Sequence, residues 1–172
     1  YRVAYILDNG IYASNILLLT FTNKAAREML ERVGKLVPHN TKDIWGGTFH
    51  SIGNRILRRH AEELGFSSSF SILDQDDQGE MIIAATADAK IDTKGLKFPK
   101  PEVIADIFSL AVNTGSSIED LMEWKYPYFK HFTEQLHQIQ EKYEYKKLST
   151  NSMDFDDLLT KTLQLLRENP DI

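Results

Sequence analysis

Residues 15–29, NILLLTFTNKAAREM, constrain the fold more than any other stretch of the chain. An apolar run of strand length, 16–19, meets the polar turn Thr20-Phe21-Thr22-Asn23, and Lys24 then opens an amphipathic helix. An apolar run without alternation reads as a buried strand, and a buried strand feeding a helix belongs to an α/β layer. The junction leaves helix N-terminal N–H groups without intrahelical partners, an arrangement suited to phosphate. Thr20, Thr22 and Asn23 add hydroxyl and amide groups beside those donors. Phe21, set among polar residues, is placed to meet a flat ring. Backbone-phosphate contact plus an aromatic platform holds single-stranded nucleic acid without reading its sequence. The plainer reading of Phe21 is a core aromatic.

The pattern on either side of this stretch predicts two bodies. Residues 1–9 read as the tail of a helix stopped at Asn9-Gly10. Asn23 is expected to cap a helix with Ala26, Met29, Leu30, Val33 and Val37 inward, ended by Pro38. A short strand at 43–49, loosened by Gly46-Gly47, precedes a helix at 50–64 that Gly65 stops. Another short strand falls at 70–73. Beyond Asp74 helical periodicity takes over, at 75–89, 101–112, 117–124 and 128–148, with Lys97 to Pro101 as a break. Phe129, Phe132, Leu136, Ile139 and Tyr143 form one packing stripe on the longest of these. Ser152 is expected to cap a last helix, 153–168. The fold class is therefore α/β and predominantly helical, with a partial parallel sheet layer and an all-helical insertion.

Composition narrows the function classes. The chain has 172 residues, 42% hydrophobic and 26% charged, enough for a real core in a globular protein. It contains no cysteine, which excludes disulfides and thiolate metal sites and fits a reducing interior. No apolar run approaches the roughly 20 residues that span a bilayer, so no membrane role is expected. The start, Tyr1-Arg2-Val3-Ala4, reads as mid-domain sequence and not as a signal peptide. A net charge of −5 argues against a wholesale nucleic-acid coat. Basic residues gather locally, in Arg55, Arg58, Arg59 and His60, and in Lys24, Arg27, Arg32 and Lys35. A basic groove on an acidic body is the expectation, with salt-sensitive binding.

Other candidate sites have competing plain readings. Thr48-Phe49-His50 sits at a strand-to-helix junction, where Thr48 or Ser51 suits a helix cap. His50 has no nucleophile or metal cluster to recruit it. The arginines read as a solvated face or as phosphate contacts. Asp74, Asp76 and Asp77 imitate a calcium loop, but Gly79 is misplaced and the closing Glu is missing, so a helix cap at Asp74 is expected. Asp154, Asp156 and Asp157 most simply complement a helix dipole, and no catalytic chemistry is assigned to them. Tyr126, Tyr128, Tyr143 and Tyr145 read as packing residues.

Three motifs carry a family resemblance. TFTNKAAREM (20–29), GTFHSIGNRILRR (47–59) with FSILDQDDQ (70–78), and MDFDDLL (153–159) occur in the order found in superfamily 1 DNA helicases of the UvrD/Rep/PcrA type. Together they resemble that family over nearly the whole chain, apart from about 91–147. The resemblance implies that Phe21 stacks on a DNA base with Thr22 and Asn23 on the backbone, and that Thr48 and His50 line the same single-strand path; Phe49, Arg55 and Arg59 join them as DNA-contact candidates on their own chemistry. It implies motor coupling through Thr20, Asp154, Asp156 and Asp157. It also implies that the parallel sheet layer is of the P-loop-NTPase type, and a division into a first part of the motor domain (1–50), an inserted helical subdomain (51–151) and a return segment (152–172).

Two family motifs are missing. The sequence has no Gly-x-x-x-x-Gly-Lys-Ser/Thr loop, since its only Gly-Lys pair, Gly34-Lys35, is followed by Leu36. It has no Asp-Glu dipeptide to hold magnesium. The expectation is a fragment, cut at both ends, of an ATP-dependent 3′–5′ DNA helicase or translocase. ATP and Mg2+ would serve the intact parent and no cofactor or metal the fragment, which alone would neither hydrolyse ATP nor unwind. Expected partners are single-stranded DNA, single-strand/duplex junctions and the remaining helicase domains, in a bacterial cytoplasm at the nucleoid. Alternatives are a helical protein-interaction module of a repair or replication factor, and part of a helicase–nuclease fusion.

Overall fold

Two parallel strands organise the start of the chain in the computed structural model, which describes residues 1–37, 43–93 and 97–172. The chain divides into two compact units, Tyr1–Leu57 and Arg58–Ile172. In the first, α1 (Arg2–Asp8) and a 3-10 turn (Ala13–Asn15) lead into β1 (Leu17–Thr20). Helix α2 (Asn23–Leu36) crosses over to β2 (Trp45–Thr48), which pairs parallel with β1 from Leu17↔Trp45 to Thr20↔Thr48. β2 runs straight into α3 (Phe49–His60). Ala4, Leu7, Ile16, Val33, Val37 and Ile44 form the core under these elements.

The glycines of β2 are there for close approach. A Cβ on Gly46 would lie 2.9 Å from Leu30 Cδ1 of α2, and one on Gly47 would run into the Ser51 hydroxyl. A side chain at either position would require Leu30 or Ser51 to shift.

Two local expectations change in this unit, and a third falls outside the described residues. The strand is not buried along its length: Leu17 is 54% exposed, Leu18 and Leu19 are partly covered, and only Thr20 is buried. Among the described residues β1 pairs with β2 alone, so part of its apolar surface has no cover. The cap of α2 is Thr22 in place of Asn23, because Thr22 is the last extended residue and its Oγ1 accepts from Ala25 N at 3.1 Å. Helix α2 ends at Leu36 with Val37 extended, while the expected stop, Pro38, lies outside the described residues.

In the second unit, a 3-10 turn (Ala61–Leu64) ends at Gly65, in the left-handed region at φ +79°. β3 (Ser71–Ile72) follows, then α4 (Gln75–Asp88), α5 (Pro101–Thr114), α6 (Ile118–Trp124), a 3-10 turn (Pro127–Phe132) and α7 (Thr133–Ser149). β4 (Ser152–Met153) and α8 (Phe155–Glu168) complete the unit. β3 and β4 pair parallel, so the helical run from α4 to α7 is one long crossover between them. Its core is Ile82 and Ala85 of α4, Ile104, Ile107 and Phe108 of α5, Ile118, Leu121 and Met122 of α6, and Leu136, Ile139 and Tyr143 of α7. The expected stripe holds: Phe132, Leu136, Ile139 and Tyr143 are buried, and Phe129 is partly buried against the same cluster. The class is α/β, mostly helical with small parallel sheets.

The long helix expected over 128–148 begins instead as a 3-10 turn. Pro127 fixes the first backbone angle, and Phe129 N–H bonds to Tyr126 O at 2.9 Å in the tighter spacing. β4, of two residues, carries no periodicity in the sequence. Ser152 belongs to that strand, and Asp154 is the residue that caps the last helix.

Candidate nucleic-acid interface

The register of β1 on β2 sets Thr20 beside Thr48 at the carboxyl ends of both strands. Each strand then turns into a helix, so TFTN and TFH emerge side by side. In open α/β sheets this end of the strands is where ligands bind. Phe21 is 92% exposed, which rules out its reading as a core aromatic. Its ring lies 5.7 Å from that of Phe49, tilted by 46°, and Phe49 is also exposed. Two rings on one surface form a platform on which bases can stack.

The polar residues are pinned by the turns. Thr20 is buried, and its hydroxyl donates to Thr22 O at 2.8 Å. Thr48 Oγ1 accepts from Ser51 N at 3.2 Å, while the Ser51 hydroxyl donates to Thr48 O at 2.9 Å. Thr22 and Thr48 thus each cap a helix through an acceptor lone pair, which leaves the O–H as a donor for phosphate oxygen. Asn23 is exposed in the first turn of α2, and His50 is half-buried in the first turn of α3. Thr20, Phe21, Thr22, Asn23, Thr48, Phe49 and His50 are therefore brought together.

The arginines separate. Arg55 lies 4.1 Å above the Trp45 ring, a cation–π contact that steadies an exposed guanidinium beside β2. Arg58 is structural: it donates to Ser68 O at 2.8 Å and Phe70 O at 2.6 Å, and stacks 3.8 Å above the Phe70 ring. Arg59 is exposed one turn beyond Arg55 and is grouped with the second unit.

Asp154, Asp156 and Asp157 also lie in the second unit, and here the sequence missed the main partner. Lys147 of α7 is 2% exposed. Its Nζ lies 2.9 Å from Asp154 Oδ2, 2.8 Å from Asp157 Oδ2 and 2.8 Å from Glu144 Oε1. The Tyr143 hydroxyl donates to Asp154 Oδ2 at 2.8 Å. Asp154 and Asp157 also form a reciprocal capping box, with Asp157 N on Asp154 Oδ1 at 2.8 Å and Asp154 N on Asp157 Oδ2 at 3.1 Å. Burial works against the Lys147 charge, but Asp157, Asp154 and Glu144 outweigh it and hold the ammonium firmly protonated. Burial likewise works to raise Asp154, and Lys147 with the capping bonds brings it below the usual carboxylate range. Burial and the Asp154 charge together push the Tyr143 phenol well up. Asp156 sits apart from this network, its Oδ1 accepting from Asn113 Nδ2 at 2.8 Å. Only the burial of Tyr143 was signalled by periodicity. Lys147 carried no signal, since lysine is among the residues least often buried. Asp74 caps α4 as expected, its Oδ1 accepting from Asp77 N at 2.9 Å.

The whole chain, residues 1–172, matches the UvrD/REP helicase N-terminal domain. The chain belongs to that family. The ATP-dependent DNA helicase PcrA of Bacillus subtilis (strain 168) is 36% identical over 173 residues, which cover 100% of this chain and 23% of the relative. That of Staphylococcus aureus (strain Mu50 / ATCC 700699) is 35% identical over 173 residues, with the same coverage. That of Leuconostoc citreum is 33% identical over 174 residues, covering 100% of this chain and 22% of the relative. The chain thus spans under a quarter of the length of these curated relatives.

Gly34 and Lys35 lie inside α2, where helical hydrogen bonding occupies the backbone N–H groups that a phosphate loop must present. Among the described residues no three His, Asp or Glu side chains are arranged to hold a metal. No described helix is long and apolar enough to cross a membrane.

Proposed function

We propose that the carboxyl ends of β1 and β2 hold single-stranded DNA within a longer ATP-dependent 3′–5′ DNA helicase or translocase. The observation that carries this reading is the exposed Phe21–Phe49 pair at two adjacent strand ends, flanked by hydroxyl donors and helix N-termini. Phe21 and Phe49 stack on bases. Thr22, Asn23, Thr48 and His50 contact the backbone, and Arg55 and Arg59 contribute phosphate contacts. Thr20 braces the Phe21 turn through its bond to Thr22 O. Asp154, Asp156 and Asp157 transmit movement in the motor, at the junction where α7 hands over to α8.

In this reading residues 1–50 and 152–172 belong to a P-loop-type motor layer, and 51–151 form a helical subdomain inserted in it. The relatives are ATP-dependent DNA helicases, and the same activity is proposed for the whole protein. ATP and magnesium are then held by parts of the motor other than these residues. Partners are single-stranded DNA, single-strand/duplex junctions and the other helicase domains. This chain alone is expected not to hydrolyse ATP.

Fluorescence anisotropy of a labelled oligo-dT, titrated with the chain across a salt series, tests the reading. Saturable, salt-sensitive binding that Phe21→Ala and His50→Ala both weaken supports it. Binding unchanged by both substitutions, in chains with wild-type circular dichroism, contradicts it.

A further inference from the structure

We infer that the corner formed by α6 and the following 3-10 turn is a second contact surface for single-stranded nucleic acid, separate from the strand-end platform. Trp124 closes α6 at 63% exposure, and Tyr128, in the turn, is 57% exposed. Both rings lie outside the buried core. The inward positions of these elements are filled by Leu121, Met122 and Phe132, all buried, with Phe129 packed against the same core. Large aromatics left in water beside a completed core mark an interaction surface.

The charges around the rings select the partner. Residues 124–131, WKYPYFKH, contain Lys125, Lys130 and His131 and no carboxylate. Lys97 reaches the same corner, its Nζ 5.9 Å from the Tyr128 ring, and Lys125 Nζ is 5.4 Å from the Tyr126 ring. Tyr128 is steadied edge-to-face on Phe129, with centroids 5.4 Å apart. Lys130 is anchored by Glu123 at 2.9 Å, which ties the end of α6 to the turn. Flat rings bordered by ammonium groups suit a polyanion with exposed π faces. Single-stranded nucleic acid has both, whereas a duplex hides its base faces in the stack.

Trp124 reports on its own surface. The chain has two tryptophans, so Trp45→Phe leaves Trp124 as the sole indole emitter. Oligo-dT titrated into that variant is expected to quench Trp124 emission saturably, and to do so equally when Phe21→Ala is added. Lys97→Glu with Lys125→Glu is expected to weaken the quenching titration at least ten-fold, and Tyr128→Ala at least five-fold. Circular dichroism and a Tyr128→Phe control, which keeps the ring, separate these losses from unfolding. Absence of quenching, or quenching abolished by Phe21→Ala alone, overturns the inference. So does quenching by a blunt duplex at equal or lower concentration, which would mark a duplex-binding surface.

Discussion

The rings of Phe21 and Phe49 lie 5.7 Å apart, although a whole helix separates the two residues in sequence. Their proximity follows from the parallel pairing that sets Thr20 beside Thr48. Each phenylalanine is the first residue past its strand, so both are delivered to the same surface. Exposure of Phe21 makes it expendable for folding and suited to a base. Phe21→Ala is therefore expected to weaken oligo-dT binding by about 1–3 kcal/mol, roughly 5- to 150-fold, as loss of one stacking side chain does. Urea unfolding should give the same midpoint as wild type. A lowered midpoint with unchanged affinity would assign Phe21 to packing.

Arg55 gives a charge prediction. Its guanidinium is held over Trp45 without a carboxylate in that contact. If it neutralises one phosphate, Arg55→Gln lowers the slope of log K against log salt by about 0.7 for a single strand. Arg58→Gln should behave differently, because Arg58 is committed to Ser68 O and Phe70 O. It should lower stability and leave the salt slope alone. Oligo titrations between low and moderate salt read out both.

Lys147 is the buried cation on which Asp154 and Asp157 depend. Lys147→Met removes the charge and leaves the buried Asp154 and Asp157 with Lys161, 3.6 Å from Asp157 Oδ1, as the remaining cation at the cluster. Breaking a buried ion pair from one side costs about 3–5 kcal/mol. Urea denaturation monitored by circular dichroism should show a loss of that order. A loss under about 1 kcal/mol would mean that water already screens the cluster.

Asp154 also sets an acid limit. Its folded-state pKa is lowered below the ordinary 3.8, so its stabilisation is complete above that value and disappears as pH falls through the folded-state pKa. Stability should be flat from neutral pH to about 5 and decline below about 4. Asp154→Asn should be less stable at neutral pH and show a shallower decline in acid. A parallel decline in both chains would place the acid sensitivity elsewhere.

Much of this was legible in the sequence because it rests on periodicity and turn chemistry. The α7 stripe, the Gly65 stop, the Asp74 cap and the strand–turn–helix at Thr20 are all local patterns. The Phe21–Phe49 pairing was not readable residue by residue, since it depends on strand register. β4 was invisible because its two residues form a strand only by meeting Ser71 and Ile72. The Lys147 cluster was hidden for a related reason. Its carboxylates read as a capping box, which they also form, and nothing local signals a lysine folded beneath them.

Photo-crosslinking tests the strand-end platform most directly. An oligo-dT carrying 5-iododeoxyuridine is bound to the chain, irradiated and digested, and the adducts are located by mass spectrometry. Adducts on Phe21 or Phe49, lost with excess unlabelled oligo-dT, are the predicted result. Efficient crosslinking elsewhere, with the peptides bearing Phe21 and Phe49 unmodified, would contradict it.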